Sequence, residues 1–276
     1  MKITVSELKT NMEKYIELAQ QQNISVTKDG VHVATIISAD SDMTSAYESI
    51  LDEAYSEISQ KIYDAGSQYE QLYPAFSKVA NMVGLHGGKE LGHADRMQYY
   101  LGIIINALLK NDSYKKEVAS WDTNLFLLSA QLHDVGEAAI ADQHLKKTGD
   151  LTESEFEEIK NHADLGVKIV QQAKESLELG TLFQYAEIVA GSHHEKWDGS
   201  GYPSGLKADA IPLQGRVMAL VDVYDALTTD RPHRKRKTHK EAVEIIKNGS
   251  GTHFDPGLVE AFLAFESDFE GLTGNT

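Results

Sequence analysis

The chain of 276 residues contains no cysteine, which excludes disulfides, thiolate metal sites and cysteine nucleophiles. It also lacks a long apolar run: "LGIIINALL", residues 101–109, is the strongest and is about half of what a membrane span requires. The opening "MKITVSELKT" has no apolar signal core, so the expectation is a cytoplasmic chain with no membrane segment. Positive charge is scarce, with 26 Lys and Arg against 42 Asp and Glu and a net charge of −16. That balance disfavours non-specific binding to nucleic acid or anionic lipid over most of the surface. One run departs from it, "DRPHRKRKTHK" at residues 230–240. It reads either as a solvated segment or as a local positive field beside an anionic substrate. A hydrophobic share of 41% suffices for a sizeable core, and the length suits one main domain with a small appendage.

The appendage comes first. "KITV" reads as a strand, and Ser6 can cap a helix carrying Leu8, Met12, Tyr15 and Ala19 at helical spacing. "ISVTKDGVHVATII" gives two β-rich runs around Asp29-Gly30, a hairpin signal. The expectation is a β-α-β-β domain over 1–38, ended by the polar "SADSDMTSA". A linker and connector helices follow over 39–83, with Ile50, Ala54, Ile58 and Ile62 on one stripe.

From 84 to 276 the expectation is an all-helical domain, so the protein as a whole is mainly α. "LFLLSAQLHD" places Leu125, Leu128 and Leu132 on one face, with Ser129 and His133 beside it. "LTESEFEEIKNHADLGVKIV" starts with a capping box, Thr152-x-x-Glu155, and is expected to bury Phe156, Ile159, Ala163, Val167 and Val170. The polar residues that interrupt these apolar faces are His93, His133, Asp134, His162, His193, His194 and Asp222. One such histidine is usually a hydrogen-bonded core residue, but several with two isolated aspartates point to a metal site. Imidazole and carboxylate without thiolate suit iron, manganese or zinc.

Two pairs are adjacent, His133-Asp134 and His193-His194. Neighbours on a helix point about 100° apart and on a strand about 180° apart, so a pair cannot easily serve one compact ion. A carboxylate with two oxygens can bridge two ions held by different histidines. Two ions about 3.5–4 Å apart would clamp the attacking and leaving oxygens of a phosphodiester.

Four blocks carry a resemblance: "HD" at 133–134, "HHEKWDGSGYP" at 193–203, "VDVYDALTTDRPHR" at 221–234 and "GTHFDPGLVEAFL" at 251–263. Together they resemble the HD-GYP branch of the HD phosphohydrolases over roughly residues 90–265. The resemblance implies hydrolysis of cyclic di-GMP to the linear dinucleotide or GMP, with a metal-bridging hydroxide attacking phosphorus. It implies iron or manganese ions, held by His93, His133, Asp134 and Asp222 on one side and Asp134, His162 and His193 on the other. His194 matches a further ligand, and His133 and Asp134 take the catalytic positions. Asp198, Gly199, Gly201, Tyr202 and Pro203 match the signature loop, expected to brace the histidines or touch substrate, and Arg231 and Arg234 match a basic segment that can meet phosphate. Residues 1–38, through "ITVSELKTNMEKYIELAQ" and "VTKDGVHVATII", resemble the N-terminal domain of Phd/YefM-type antitoxins. That implies a homodimer, with a protein partner or DNA as the other candidates for this segment.

Two positions depart from the HD-GYP pattern. Glu137 stands where the family has a lysine near the substrate phosphate, a loss worth on the order of 10²–10³ in rate. Lys89 stands where some members have an acid, with Glu90 one residue later and rotated about 100° on a helix. The expectation is therefore two divalent ions rather than a complete third site. Three other readings fit the same residues: a degenerate metal-binding sensor, a phosphohydrolase for another nucleotide, and a DNA-binding regulator built on 1–38.

Overall fold

The computed structural model describes residues 2–4, 7, 24–28, 31–36, 68–89, 92–147, 149, 151–176, 179–231 and 234–270. The chain divides into two compact units, Met1–Ile58 and Ser59–Thr276. The first carries a three-stranded sheet of β1 (Lys2–Thr4), β2 (Ile24–Lys28) and β3 (Val31–Ile36). β1 and β2 run parallel with Ile3 opposite Val26, and β2 and β3 run antiparallel with Lys28 opposite Val31. The hairpin read around Asp29-Gly30 is thus framed by the expected strands. The helix expected from Ser6, Leu8, Met12, Tyr15 and Ala19 lies outside the described residues, as does the stripe of Ile50, Ala54, Ile58 and Ile62.

The second unit is helical among its described residues. Its longer helices are α1 (Gln68–His86), α2 (His93–Leu108), α4 (Thr123–Ala130), α6 (Glu153–Ser176), α7 (Gly180–Ser192), α8 (Leu213–Thr228), α9 (His239–Asn248) and α10 (Pro256–Leu263). Short turns α3 (Lys115–Val118), α5 (Asp142–Leu145) and α11 (Glu266–Glu270), and a 3-10 turn over Val135–Ala139, join them. No helix among the described residues is long and apolar enough to cross a membrane.

The core follows from helical spacing. Met97, Leu101, Ile104 and Leu108 of α2 and Val217, Leu220, Val221 and Tyr224 of α8 are all buried. Aromatic rings close one end, with Tyr100 stacked on Phe269 at 5.2 Å and edge-on to Tyr224 at 5.1 Å. Each large side chain buried in this way contributes roughly 1.5–3 kcal/mol.

The capping box read at Thr152 is present: Glu155 Oε2 accepts the Thr152 N–H at 2.7 Å, and Thr152 Oγ1 accepts the Glu155 N–H at 3.3 Å. On the helix that it starts, Ala163 and Val170 are buried and Ile159 and Val167 are partly so. Phe156 corrects the expectation: it is 44% exposed. It lies in the first turn of α6, where the side chain leans toward the helix start.

Two glycines set the crossings that assemble the site. A side chain at Gly136 would collide with the His162 carbonyl and the Gly166 nitrogen, so this glycine lets the 3-10 turn lie against α6. A side chain at Gly215 would collide with Ser192, the last residue of α7, so α8 passes close to the residue before His193.

Candidate metal centre

Helix ends supply most of the site. His93 is the first residue of α2, His133 and Asp134 lie in the turn after α4, and His193 caps the end of α7. His162 and Asp222 project from within α6 and α8. All seven residues singled out in the sequence come together in two groups, one of His93, His133, Asp134 and Asp222, the other of Asp134, His162, His193 and His194. Within each group the possible ligand atoms lie within 4.8 Å of one another.

Asp134 belongs to both groups and divides its oxygens between them. Its Oδ2 is 2.7 Å from His133 Nε2, while its Oδ1 is 3.5 Å from His162 Nε2 and 3.3 Å from His193 Nε2. The rings are aimed by their far nitrogens. Nδ1 of His133, His162 and His193 each hydrogen-bonds a carbonyl, of Ala130 (2.9 Å), Ile159 (2.7 Å) and Val189 (2.7 Å). Each ring thereby turns Nε2 inward in the tautomer able to ligate. His93 uses a carboxylate instead, pairing Nδ1 with Asp225 Oδ2 at 2.7 Å, and Arg96 Nε holds Asp225 Oδ1 at 2.5 Å.

Electrostatics favour ligation. Burial pushes His162 down to about 4 and depresses His133, His193 and His194 as well. These imidazoles are therefore neutral near pH 7, the form that binds metal. Burial opposes charge on Asp222, but in acid, where it titrates, protonated His133 together with Lys89 outweighs burial and holds the carboxyl well below the usual range. His93 Nε2 is buried without a hydrogen bond, and so is His133 Nε2, which faces Asp134 Oδ2 at 2.7 Å and Asp222 Oδ1 at 3.8 Å. Inward-facing, unsatisfied imidazole nitrogens beside shared carboxylates fit divalent ions, and two groups fit two.

The two departing positions meet each other. The Lys89 ammonium contacts Asp134 Oδ2 and lies 3.4 Å from Glu137 Oε1. The end of α1 is built for this: a side chain at Gly87 would strike the Glu137 carboxylate, and the Lys89 N–H turns back to the Gly84 carbonyl at 2.7 Å. Glu137 is thus not a lone anion in the site. Glu90 lies outside the described residues.

The signature loop packs over the second group. Tyr202 stacks on His194 at 4.7 Å, and its N–H donates to the His194 carbonyl at 3.2 Å. A side chain at Gly201 would run into the backbone of His194, Glu195 and Lys196. Asp198 is exposed and accepts from the N–H and hydroxyl of Ser200, which makes it a turn cap where it stands. Pro203 follows Tyr202 in a cis peptide. Arg231 and Arg234 hydrogen-bond to each other through their backbones, and the Arg234 guanidinium donates to the Ala226 carbonyl at the end of α8. Neither guanidinium makes a hydrogen bond or ion pair with the cluster among the described residues.

Three contributors escaped the sequence reading. Asp225 orients His93, and its signal was a second acid one turn after Asp222 in an otherwise apolar helix. Buried Glu195 holds the loop by accepting the N–H groups of Ser204 (2.7 Å) and Leu206 (3.0 Å), with no signal beyond its place after two histidines. The reach of Lys89 to Asp134 crosses 45 residues and was not visible in the sequence.

Residues 77–258 match the HD domain family, and the chain belongs to it. The chain is 43% identical over 178 residues to a probable cyclic di-GMP phosphodiesterase of Vibrio cholerae, covering 64% of this chain and 40% of that protein. It is 35% identical over 203 residues to a cyclic di-GMP phosphodiesterase of Thermotoga maritima, covering 73% and 52%. A 3'3'-cGAMP-specific phosphodiesterase 2 of Vibrio cholerae is 38% identical over 152 residues, covering 55% and 28%. The chain thus spans about half or less of the length of these relatives.

Proposed function

We propose that residues 84–276 form a phosphodiesterase of the HD-GYP type that hydrolyses cyclic di-GMP at a centre of two divalent ions, iron or manganese. The observation that carries this reading is Asp134, which turns one oxygen toward His133 and the other toward His162 and His193. His93, His133, Asp134 and Asp222 would hold one ion, and Asp134, His162, His193 and His194 the other. Ions held there acidify a water and neutralise phosphate charge. The chain's own work is to keep the imidazoles neutral, fix their tautomers and cover the second group with the Tyr202 ring. The loop around Asp198, Gly201, Tyr202 and Pro203 shapes substrate entry, with Arg231 and Arg234 as a basic margin. The names of the relatives support a cyclic dinucleotide as substrate.

A metal-binding module without turnover is the second reading, favoured by Glu137. Lys89 argues against it, because its ammonium already stands 3.4 Å from that carboxylate and keeps a cation beside Asp134. Anaerobic incubation of iron- or manganese-loaded protein with cyclic di-GMP, and in parallel with 3'3'-cGAMP, separates the readings. Linear dinucleotide or GMP is expected from the native chain and not from His133→Ala or Asp134→Ala. Loaded protein that yields no product from either substrate overturns the cyclic-dinucleotide reading and leaves the binding module or an enzyme for a different phosphoester. Residues 1–38 we read as a β-α-β-β dimerisation module joined through 39–83, and sedimentation of the full chain as a dimer is the expected result.

A further inference from the structure

Phe156 is an expense that packing does not explain. A phenylalanine left 44% exposed forgoes part of the burial that makes its ring favourable. Single exposed apolar residues are common on any surface, so exposure alone says little. The neighbours of this ring distinguish it. Phe156 meets Tyr202 edge-on with centroids 6.5 Å apart, and Tyr202 stacks on His194 at 4.7 Å. His194 in turn stands 4.9 Å from His162, and both are members of the second ligand group. An unbroken series of rings therefore leads from the metal-ligand cluster to the surface and ends in Phe156.

Lys160, one turn after Phe156, sits over both outer rings, 4.9 Å from the Phe156 centroid and 5.6 Å from that of Tyr202. Glu157 holds its ammonium at 2.6 Å. A cation over two ring faces fixes them at little entropic cost and leaves the rest of the Phe156 ring open. Among the other large apolar side chains exposed in this unit, Tyr99 uses its hydroxyl on the Asp268 carbonyl, and Met82, Leu85, Leu151 and Ile245 carry no ring.

We infer that Phe156, steadied by Lys160 and Tyr202, is a stacking shelf for a purine base of the substrate. The inference rests on the reading of the cluster as a centre that holds the substrate's phosphates. With a phosphate at the ligand groups, the attached nucleoside must leave the cluster on some side. The side bordered by Tyr202 and Phe156 offers a flat apolar face beside a fixed cation. A base needs only its π-face for such a contact, so the shelf sets affinity for purine nucleotides and takes no part in the chemical step.

The test is binding by the full-length, manganese-loaded chain, measured by calorimetry with GMP and with ribose 5-phosphate. The two probes carry the same phosphoester and differ in the base. Phe156→Ala is expected to weaken GMP by about tenfold to a hundredfold and leave ribose 5-phosphate within twofold. Phe156→Trp restores GMP binding. Equal weakening of both probes, or no change in either, overturns the shelf. Since Phe156 is exposed, the folded state survives its truncation, and unchanged circular dichroism and metal content check this. A native chain that binds GMP through Phe156 but hydrolyses no cyclic dinucleotide keeps the shelf and removes the activity reading. The two therefore fail separately.

Discussion

Asp225 belongs to neither ligand group, yet it is fully buried and its carboxylate is committed to His93 and Arg96. A carboxylate on the far nitrogen of a ligating imidazole fixes the tautomer and raises basicity, and losing it costs about 10–100-fold in metal affinity. Asp225→Asn is expected to fall in that range by competition with a chelator, with the helical content unchanged. Unaltered affinity would mean that His93 is oriented by packing alone. Lys89 and Glu137 invite a different experiment. Their side chains are 6% and 13% exposed, so removing Lys89 leaves the nearly buried carboxylates of Glu137 and Asp134 without their shared cation. Lys89→Met should cost about 3 kcal/mol in urea unfolding of the metal-free protein. Glu137→Gln should cost less than Lys89→Met, because Lys89 keeps its contact with Asp134. Equal costs would mean that Asp134 is not the closer partner of the lysine.

Elements meet at this site through glycines and loop braces that repeat in no period. Gly136→Ala would drive a methyl into the His162 carbonyl, displacing the 3-10 turn from α6. The expected loss is about 1–3 kcal/mol, with weakened metal binding because His162 and Asp134 separate. Thermal unfolding and metal titration together check it, since loss of stability without loss of metal affinity would show that the crossing is not what holds the ligands. Periodicity made the helices of the large unit legible, and Thr152-x-x-Glu155 located the start of α6 because capping is a local rule. Phe156 was misplaced for the complementary reason. The 3.6-residue pattern marks a face but does not say where along the helix the neighbouring core stops. The loop after His194 was legible as a turn from its glycines, whereas its brace, Glu195, acts through backbone amides nine and eleven residues away.

At the scale of the molecule, the candidate ligands span residues 93 to 222 and stood out because imidazole and carboxylate interrupt apolar helices. That adjacent ligands diverge argued for more than one ion and a bridging carboxylate, whereas which residues group on each side of Asp134 was implied by the family resemblance. Orienting and neutralising contacts needed the fold, because the pairs Asp225–His93 and Lys89–Asp134 join distant segments. Collecting four histidines with depressed pKa in one buried cluster has a consequence for the whole chain. His162 titrates at about 4 when folded against 6.5 when free, so between those values the unfolded chain binds more protons than the native one. Stability therefore rises with pH across this window and is lost as pH falls from about 6.5 toward 4. At about 1.4 kcal/mol per pH unit, His162 alone accounts for up to roughly 3 kcal/mol of that loss. Metal binding competes with the same protons, so ions should protect more at neutral pH than in acid. Unfolding midpoints of metal-free and manganese-loaded protein at pH 5 and pH 7 check both. The metal-free midpoint should be lower at pH 5, and the gain from manganese should shrink there. A metal-free midpoint independent of pH over this range would mean that the histidines are not held neutral by burial, and the electrostatic basis for ligation would fall with it.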